Sequence, residues 1–599
     1  MEHPKRKPWS LVALVALAIL AVALLVWQAR IPHGVPAGPR PRTPAGTPDG
    51  LVLEASFGGG AAMLATLRDR LDVPLARAVL PRRPGELFER MCELPQALVA
   101  GVADDAPLQL LLLRGADDDV HWAIAARLRP GAAVPAALAA TALPADAALD
   151  GARWIGAAPL PGDVATATVD DAIACADDAP TLVHAMAYLV TTRLPREAPA
   201  GLALHVPDRV VAVALRGAAD RAVRDTAASL EDAARQERSR HAAPPALGEP
   251  EALVALIRDA LTERTALLSD VGAVDAQLVV GADGALELDV QATVRPGSTL
   301  ARQVGQPPGA QPSILGVVPP GTALAWATSV PEPERGETLR AIRDAVPSLA
   351  GDRIDPRGRE LATAALDAIA SCRGSASLFA LGASTSGAFA TWATWPTREA
   401  SPPADAVVAA LGASWISDVG GAALGCDPRL APAPLARLVT PDRASLLCPG
   451  VPADAERRPR LTISARTLES QTPPAASVHV WALEQLASPD AVSVAPPLAT
   501  ALAAGTPPAA DPDLSRSLSS LPAQAIFVAR LSPARVLRAT TLLAIPAIRR
   551  AAASDAAHGA GPDATIVLAA AARPGGALAL RVVAPPSALA PLVSLLGVR

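Results

Sequence analysis

The chain has 599 residues, is 51% hydrophobic and 19% charged, and carries a formal net charge of -5. This length predicts about four domains, and apolar content this high argues against a disordered chain. Lysine occurs only at positions 5 and 7 and asparagine is absent. The body of the chain therefore offers no phosphate-loop or Schiff-base lysine and no N-glycosylation acceptor.

The first predicted element is a membrane anchor. Leu11 to Trp27 form an unbroken apolar run of 17 residues, flanked by Trp9 and preceded by basic residues at 5–7. Such a helix is about 25 Å long, close to the thickness of a bilayer core. A cleaved signal peptide is the alternative, but Trp27 is too bulky for the position three residues before a cleavage site.

These features predict a cytoplasmic tail at 1–8, a transmembrane helix at 9–28 that contacts the lipid bilayer, and a Pro/Gly-rich linker at 29–50. The short basic tail and the long following region place the bulk of the chain outside the cytoplasm. We therefore expect a single-pass protein of the bacterial inner membrane with a large extracytoplasmic region.

Beyond residue 48, one order of elements recurs four times: a strand, one or two amphipathic helices, a hairpin and a further helix. The copies are 48–141, 199–305, 319–413 and 522–596, with inserts at 142–198 and 414–521, in halves 51–305 and 313–599. The prediction is an α+β fold of tandem modules, each a mostly antiparallel sheet covered by helices, arising from internal duplication. The alternative is that helix–strand alternation recurs by chance.

Three short motifs mark the boundaries of these copies: Leu143-Pro144-Ala145-Asp146, Val318-Pro319 and Leu521-Pro522. With them, the chain resembles bacterial membrane-anchored proteins of unknown function whose outer domains repeat a Leu-Pro-x-x strand–helix unit. The resemblance implies an envelope location and no particular reaction.

Five cysteines lie beyond the predicted anchor, where an oxidising compartment favours pairing. Cys92 and Cys372 each end the second helix of a leading module, and Cys175 and Cys448 each follow a short strand in an insert. This parallel predicts the disulfides Cys92–Cys175 and Cys372–Cys448, with Cys426 unpaired. A Cys426–Cys448 bridge and five buried thiols are the alternatives.

One predicted hairpin turn carries residue types that bind metals: Asp117, Asp118, Asp119 and His121. Carboxylates with an imidazole could hold a divalent cation, so Asp117, Asp119 and His121 are the candidate metal ligands. The alternative is a solvated turn, since aspartate suits turns for local hydrogen-bonding reasons.

A second polar group surrounds the start of a predicted helix at 180–192. Asp177 and Asp178 precede this helix, and His184 lies one to two turns into it. Capping and the helix dipole explain the two carboxylates without a ligand.

We expect a non-catalytic binding or structural role, because no catalytic motif with the right spacing occurs and no cofactor is implied. An envelope protein or glycan is the expected partner, and Trp392 and Trp395 on one strand are candidates for contacting it. Nucleic acid is disfavoured, since 49 basic and 57 acidic residues follow residue 30. An envelope hydrolase and a hydrophobic-ligand carrier are the alternatives.

Overall fold

A computed structural model describes most of residues 46–58, 82–129, 141–211, 267–304, 312–329, 356–396, 436–447, 460–486, 494–536 and 564–588, with short gaps, and isolated positions elsewhere. The described residues belong to two compact units. The first unit runs to Ala219 and includes Ala266–Pro296. The second comprises Asp220–Thr265 and Gly297–Val598.

The first unit contains an antiparallel sheet built on short apolar runs. Its strands are Leu51–Phe57 (β1), Leu108–Arg114 (β2), Val120–Arg127 (β3), Thr141–Ala142 (β4), Arg153–Trp154 (β5), Ala165–Val169 (β6), Ala172–Ala176 (β7), Leu202–Val206 (β8), Val271–Val280 (β9) and Leu286–Val294 (β10). They hydrogen-bond in the order β10–β9–β8–β1–β2–β3–β7–β6–β5–β4.

Helices pack on both faces of this sheet. They are Pro84–Cys92 (α1), Gln96–Val99 (α2) and Ala179–Tyr188 (α3), which a π-helical turn, Leu189–Arg193, prolongs; a 3₁₀ turn spans Leu267–Asp270. Leu182 and Met186 of α3 are buried in one core cluster, and Phe88 of α1 is buried in another with Ile124 and Cys175. Each face of the central strands thus has its own apolar core.

The second unit contains strands Thr322–Ser329 (β11), Gly374–Ser384 (β12), Gly387–Pro396 (β13), Ala436–Thr440 (β14), Arg443–Leu447 (β15), Arg460–Glu469 (β16), Ser477–Leu486 (β17), Phe527–Leu531 (β18), Ile566–Arg573 (β19) and Ala577–Ala584 (β20). Its helices are Thr299–Val304 (α4), Pro356–Ser371 (α5), Ala495–Ala504 (α6) and Pro512–Ser519 (α7), with a 3₁₀ turn at Pro312–Gly316.

The two units share one strand order. In the second unit the ladder runs β20–β19–β18–β11–β12–β13–β17–β16–β15–β14, which is the order of the first with ten added to every number. The irregularities also correspond: β1–β2 shifts register between Leu51 and Leu53, and β11–β12 between Thr322 and Leu324. Corresponding registers therefore assign counterparts to the residues that are paired in both sheets.

The expected α+β fold of modules covered by helices is wrong, because the described residues are mostly β and few helices accompany the strands. Nor do the first and second modules form separate sheets. Strand β1 pairs with β8, with Glu54 opposite His205, and β11 pairs with β18. These pairings satisfy backbone groups that separate modules would leave at exposed edges.

The prediction of a transmembrane helix is not supported by the described residues. Across the part of the chain that the structure describes, none of the helices has the length and apolar character needed to cross a membrane. The stretch at 9–28, where the helix was predicted, lies outside that part.

Candidate functional site

The structure places the predicted metal-ligand residues differently from the sequence analysis. Asp117 lies outside the described residues, and Asp119 is exposed. His121 on β3 instead meets Asp177 and Asp178, because β3 pairs with β7 and both aspartates follow β7 directly. The His121 Nδ1 atom lies 3.1 Å from Asp177 Oδ2 and 3.6 Å from Asp178 Oδ2.

This His–Asp–Asp group has a structural explanation. Asp178 caps α3, since its carboxylate accepts from the backbone N–H of Thr181 at 2.7 Å. Burial raises the pKa of Asp177, while the nearby His121 acts to lower it. The three ligand-type atoms lie within 4.8 Å of one another, so the group has the donor set for a cation. Capping and ion pairing account for its geometry equally well.

His184, the third residue of the second predicted group, does not join this cluster. Its Nε2 atom lies 3.1 Å from the carbonyl oxygen of Asp49, so it ties α3 to the segment before β1. A satisfied histidine of this kind holds two elements together and offers no site.

Cys92 and Cys175 form a disulfide, with their Cα atoms 5.9 Å apart. This is the pair selected from the sequence, and it joins the end of α1 to β7 inside a buried cluster. Cys372, Cys426 and Cys448 lie outside the described residues. In the second unit, the register counterpart of Cys175 is Trp481 on β17, opposite Trp392, whereas Cys448 follows β15. Strand β15, which precedes Cys448 in the chain, corresponds in strand order to β5 and not to β7.

The tryptophans that sequence analysis singled out are both half-buried. Trp392 packs on Trp481 with ring centroids 4.9 Å apart. It belongs to a cross-strand row in which Trp326 stacks on Phe379 at 4.4 Å. This aromatic row runs through the middle of the second sheet and stabilises strand packing.

Sequence analysis missed the main polar feature of the first unit, a cleft of about 680 Å³ on one face of β1, β8, β9 and β10. Volumes of this size suit small-molecule sites. Two cross-strand rows form its floor. In the first row, Glu54 lies opposite His205, His205 opposite Asp275, and Asp275 opposite Gln291. In the second, Gln277 lies opposite Asp289.

The buried end of the cleft holds a charged network. The side chain of Glu54 is 6% exposed and that of Arg193 12%, and Arg193 Nη1 lies 3.0 Å from Glu54 Oε2. The other carboxylate oxygen accepts from the Tyr188 hydroxyl. Burial raises the pKa of Tyr188, and the hydrogen bond to Glu54 raises it further, so this tyrosine stays a neutral donor.

The π-helical turn places Arg193 at this network. A π-turn inserts an extra residue into a helix and is frequent at functional sites. Here Leu189–Arg193 continues α3 past Tyr188, and Leu189 is buried in the core while Arg193 reaches Glu54. The end of α3 therefore contributes both a hydroxyl and a guanidinium to one carboxylate.

The open end of the cleft carries acidic groups. His205 Nδ1 lies 2.8 Å from Asp275 Oδ1, and these side chains are 38% and 65% exposed. Asp289 and two glutamines complete the floor. The lining residues that the structure describes contribute two hydroxyl groups, those of Thr47 and Tyr188.

The second unit replaces this polar row with packed residues. The register counterparts of Glu54, His205, Asp275 and Gln291 are Ala325, Arg530, Val567 and Val583. Arg530 is buried and donates to the carbonyl oxygen of Leu315, which lies in the 3₁₀ turn that packs on β11 and β18. The fold therefore forms without the polar row.

One sequence signal could have revealed the cleft. Glu54 is the one ionisable residue in the buried strand Leu51–Phe57. A carboxylate at such a position needs a buried partner.

No protein-family model, curated protein or solved structure matches the chain.

Proposed function

We propose that the chain is a non-catalytic binding protein of an oxidising compartment outside the cytoplasm, and that the cleft of the first unit binds a small polar ligand. The observation that carries this proposal is the contrast between counterpart positions. A buried charged network and two polar rows occupy the sheet face in one unit, whereas the counterpart positions in the other hold the apolar residues Ala325, Val567 and Val583 together with two arginines, Arg530 and Arg581.

The energetics favour a functional reason for this contrast. Removing two charges from water costs several kcal/mol per ion, and a well-packed apolar replacement is often neutral or stabilising. The second unit has such replacements at Ala325, Val567 and Val583. Stability alone therefore does not require Glu54, Asp275 and Gln291.

The rigid setting of the cleft favours a recognition role. Its side chains stand on paired strands and on the end of a packed helix, which hold polar groups in fixed positions. Glu54 and Tyr188 are satisfied by each other and by Arg193.

The Cys92–Cys175 disulfide supports the proposed location in an oxidising compartment. Cytosolic proteins rarely keep such bonds, whereas secreted and envelope proteins commonly do. Both sulfurs are in buried residues at the centre of an apolar cluster, so this bond has a structural role and is not a labile redox pair.

A thermal-shift panel on the full chain tests the proposal. The panel holds 1,4-diaminobutane, 1,4-butanediol, succinate, glucose and inorganic phosphate. At least one compound is expected to raise the melting temperature, since a ligand at 100 times its dissociation constant stabilises by about 2.7 kcal/mol. The Asp275→Val/Gln291→Val variant, which takes the residues of the second unit, should abolish the shift. No shift, or an equal shift in the variant, would overturn the proposal.

A further inference from the structure

We infer that the ligand of the cleft is an uncharged molecule with several hydroxyl groups, such as a mono- or disaccharide; this inference rests on the proposed function. Three features of the cleft carry it. They are the pairing of its charges, the hydrogen-bonding groups that remain, and the strand register that sets those groups side by side.

The acidic and basic side chains of the described lining have partners within the chain. Arg193 Nη1 lies 3.0 Å from Glu54 Oε2, and His205 Nδ1 lies 2.8 Å from Asp275 Oδ1. Asp289, the remaining charged residue of that lining, also takes part in an interaction of its own. A charged ligand would have to break one of these contacts or leave its own charge unpaired, and an unpaired charge out of water is costly. The lining therefore favours an uncharged ligand.

Two glutamines supply the hydrogen-bonding groups that these contacts do not use. Gln277 is half-buried and Gln291 is exposed, and both line the cleft. Neither side chain has a hydrogen-bond partner among the residues that the structure describes. Each amide has an oxygen that accepts and two N–H groups that donate. The cleft therefore presents both donors and acceptors to its ligand.

The sheet register sets these amides beside carboxylates. Asp275 on β9 lies opposite Gln291 on β10, and Gln277 lies opposite Asp289. Side chains directly opposite one another on antiparallel strands have Cβ atoms about 4.5–5.5 Å apart. Each pair thus combines a carboxylate, which accepts, with an amide, which accepts and donates. One small group of a ligand can contact both members of a pair.

A hydroxyl group matches these pairs best. It can donate to the carboxylate and accept from the amide at the same time, because it has one donor and two acceptor lone pairs. An ammonium group cannot accept from the amide, and a carboxylate meets the aspartate as a like charge. Because two such pairs lie side by side, the ligand is expected to carry more than one hydroxyl group.

Apolar residues of the lining suit the carbon skeleton of such a ligand. They are Leu51, Ala203, Leu204, Pro207 and Ala276. Ala203 lies opposite Gln277, and its side chain is a single methyl group that leaves room beside the amide. Small-molecule sites commonly combine apolar surface with a few placed polar groups. A sugar ring presents C–H groups and hydroxyl groups in that combination.

Calorimetric titration of the full chain with a matched series of sugars tests the inference. The uncharged probes are glucose, galactose, maltose and myo-inositol. The charged probes are glucosamine, galactosamine, glucuronate and galacturonate, which keep the ring and change one position. At least one uncharged probe is expected to bind, and charged probes and 1,4-butanediol, which has only two hydroxyl groups, to bind at least roughly tenfold more weakly.

Two variants remove the amides and keep the length of the side chains. Gln277→Met and Gln291→Met should each weaken binding of the uncharged probe by about fivefold, because a hydrogen bond between uncharged groups is lost. Glu89→Met, which removes an exposed polar side chain of α1 away from the cleft, is the matched control and should bind as the unmodified chain does. Melting temperatures check that the variants fold, and alanine replaces methionine where one does not.

The outcomes separate this inference from the proposed function. If a charged compound binds as tightly as the best uncharged probe, the inference is wrong; the proposed function survives that result when Asp275→Val/Gln291→Val abolishes the binding. If no uncharged probe binds, or if binding is unchanged in both glutamine variants, the inference is overturned. Absence of binding by every compound, including those of the thermal-shift panel, overturns the proposed function as well.

Discussion

The same strand order produces a polar cleft in the first unit and a packed face in the second. Glu54 and Asp275 correspond in register to Ala325 and Val567, and His205 corresponds to Arg530, which bonds to a backbone carbonyl. The same strand order therefore accommodates both a polar cleft and a packed face. The comparison teaches that the polar residues are separable from the sheet that holds them, and the Glu54 and Arg193 variants below test that separation.

The largest expected effect is that of removing the Cys92–Cys175 disulfide, which lies in the first unit. Cys92→Ala/Cys175→Ala opens a loop whose ends are 83 residues apart. The chain-entropy model gives a loss of about 4.5 kcal/mol in the free energy of unfolding. Chemical denaturation under non-reducing conditions measures the free energy of unfolding of the variant and of the unmodified chain. A loss below about 1 kcal/mol would mean that the apolar core alone holds α1 on β7.

The buried ion pair comes next. Glu54→Ala leaves the Arg193 guanidinium without its partner, and such losses cost about 3–5 kcal/mol. Glu54→Leu/Arg193→Met should recover most of that stability, because apolar pairs of similar size replace buried ion pairs well. Urea denaturation compares the variants. If the double variant is as unstable as the single one, the fold requires the charged network, and these polar residues are not separable from the sheet.

A smaller effect distinguishes the second unit. Burial lowers the pKa of His479, so the unfolded chain binds its proton more readily than the folded one. Stability contributed by this group is therefore complete above pH 6.5 and falls as the pH drops below it, by at most about 1.4 kcal/mol per pH unit. His479→Gln should flatten the pH dependence of the unfolding free energy between pH 4 and 6.5. An unchanged slope would assign the loss to other groups.

The smallest effect concerns the helix that bears Tyr188. Asp178→Ala removes the N-cap of α3 and should cost about 1 kcal/mol. Asp178→Ser keeps a capping oxygen while removing the charge near His121, and should cost less. Equal losses in the two variants would show that the ion pair with His121, rather than the cap, is what matters.

Local patterns predicted much of the strand framework. The alternating run at 286–294 and the turn at Asp283-Gly284 specified the β9–β10 hairpin, and Gly284 has the positive φ, +81°, that this turn requires. A parallel drawn between the cysteines of the two halves selected Cys92–Cys175. These features depend on neighbours in sequence or on a repeated order of elements.

The cleft depends on strand pairings that local sequence patterns do not predict. Glu54, His205 and Asp275 lie far apart in the chain, and only the registers of β1–β8 and β8–β9 align them. The same limit applies to the metal candidates. His121 belongs with Asp177 because β3 pairs with β7, whereas the sequence analysis grouped it with its neighbour Asp119.

Hydrogen–deuterium exchange of the full chain tests the central claim most directly, because it compares the two units in one experiment. Addition of the strongest-binding panel compound is predicted to slow exchange in β8, β9, β10 and Leu189–Arg193, and to leave the counterpart strands β18, β19 and β20 unchanged. Slowed exchange in β18–β20 to the same degree, or no change in β8–β10, would contradict the account.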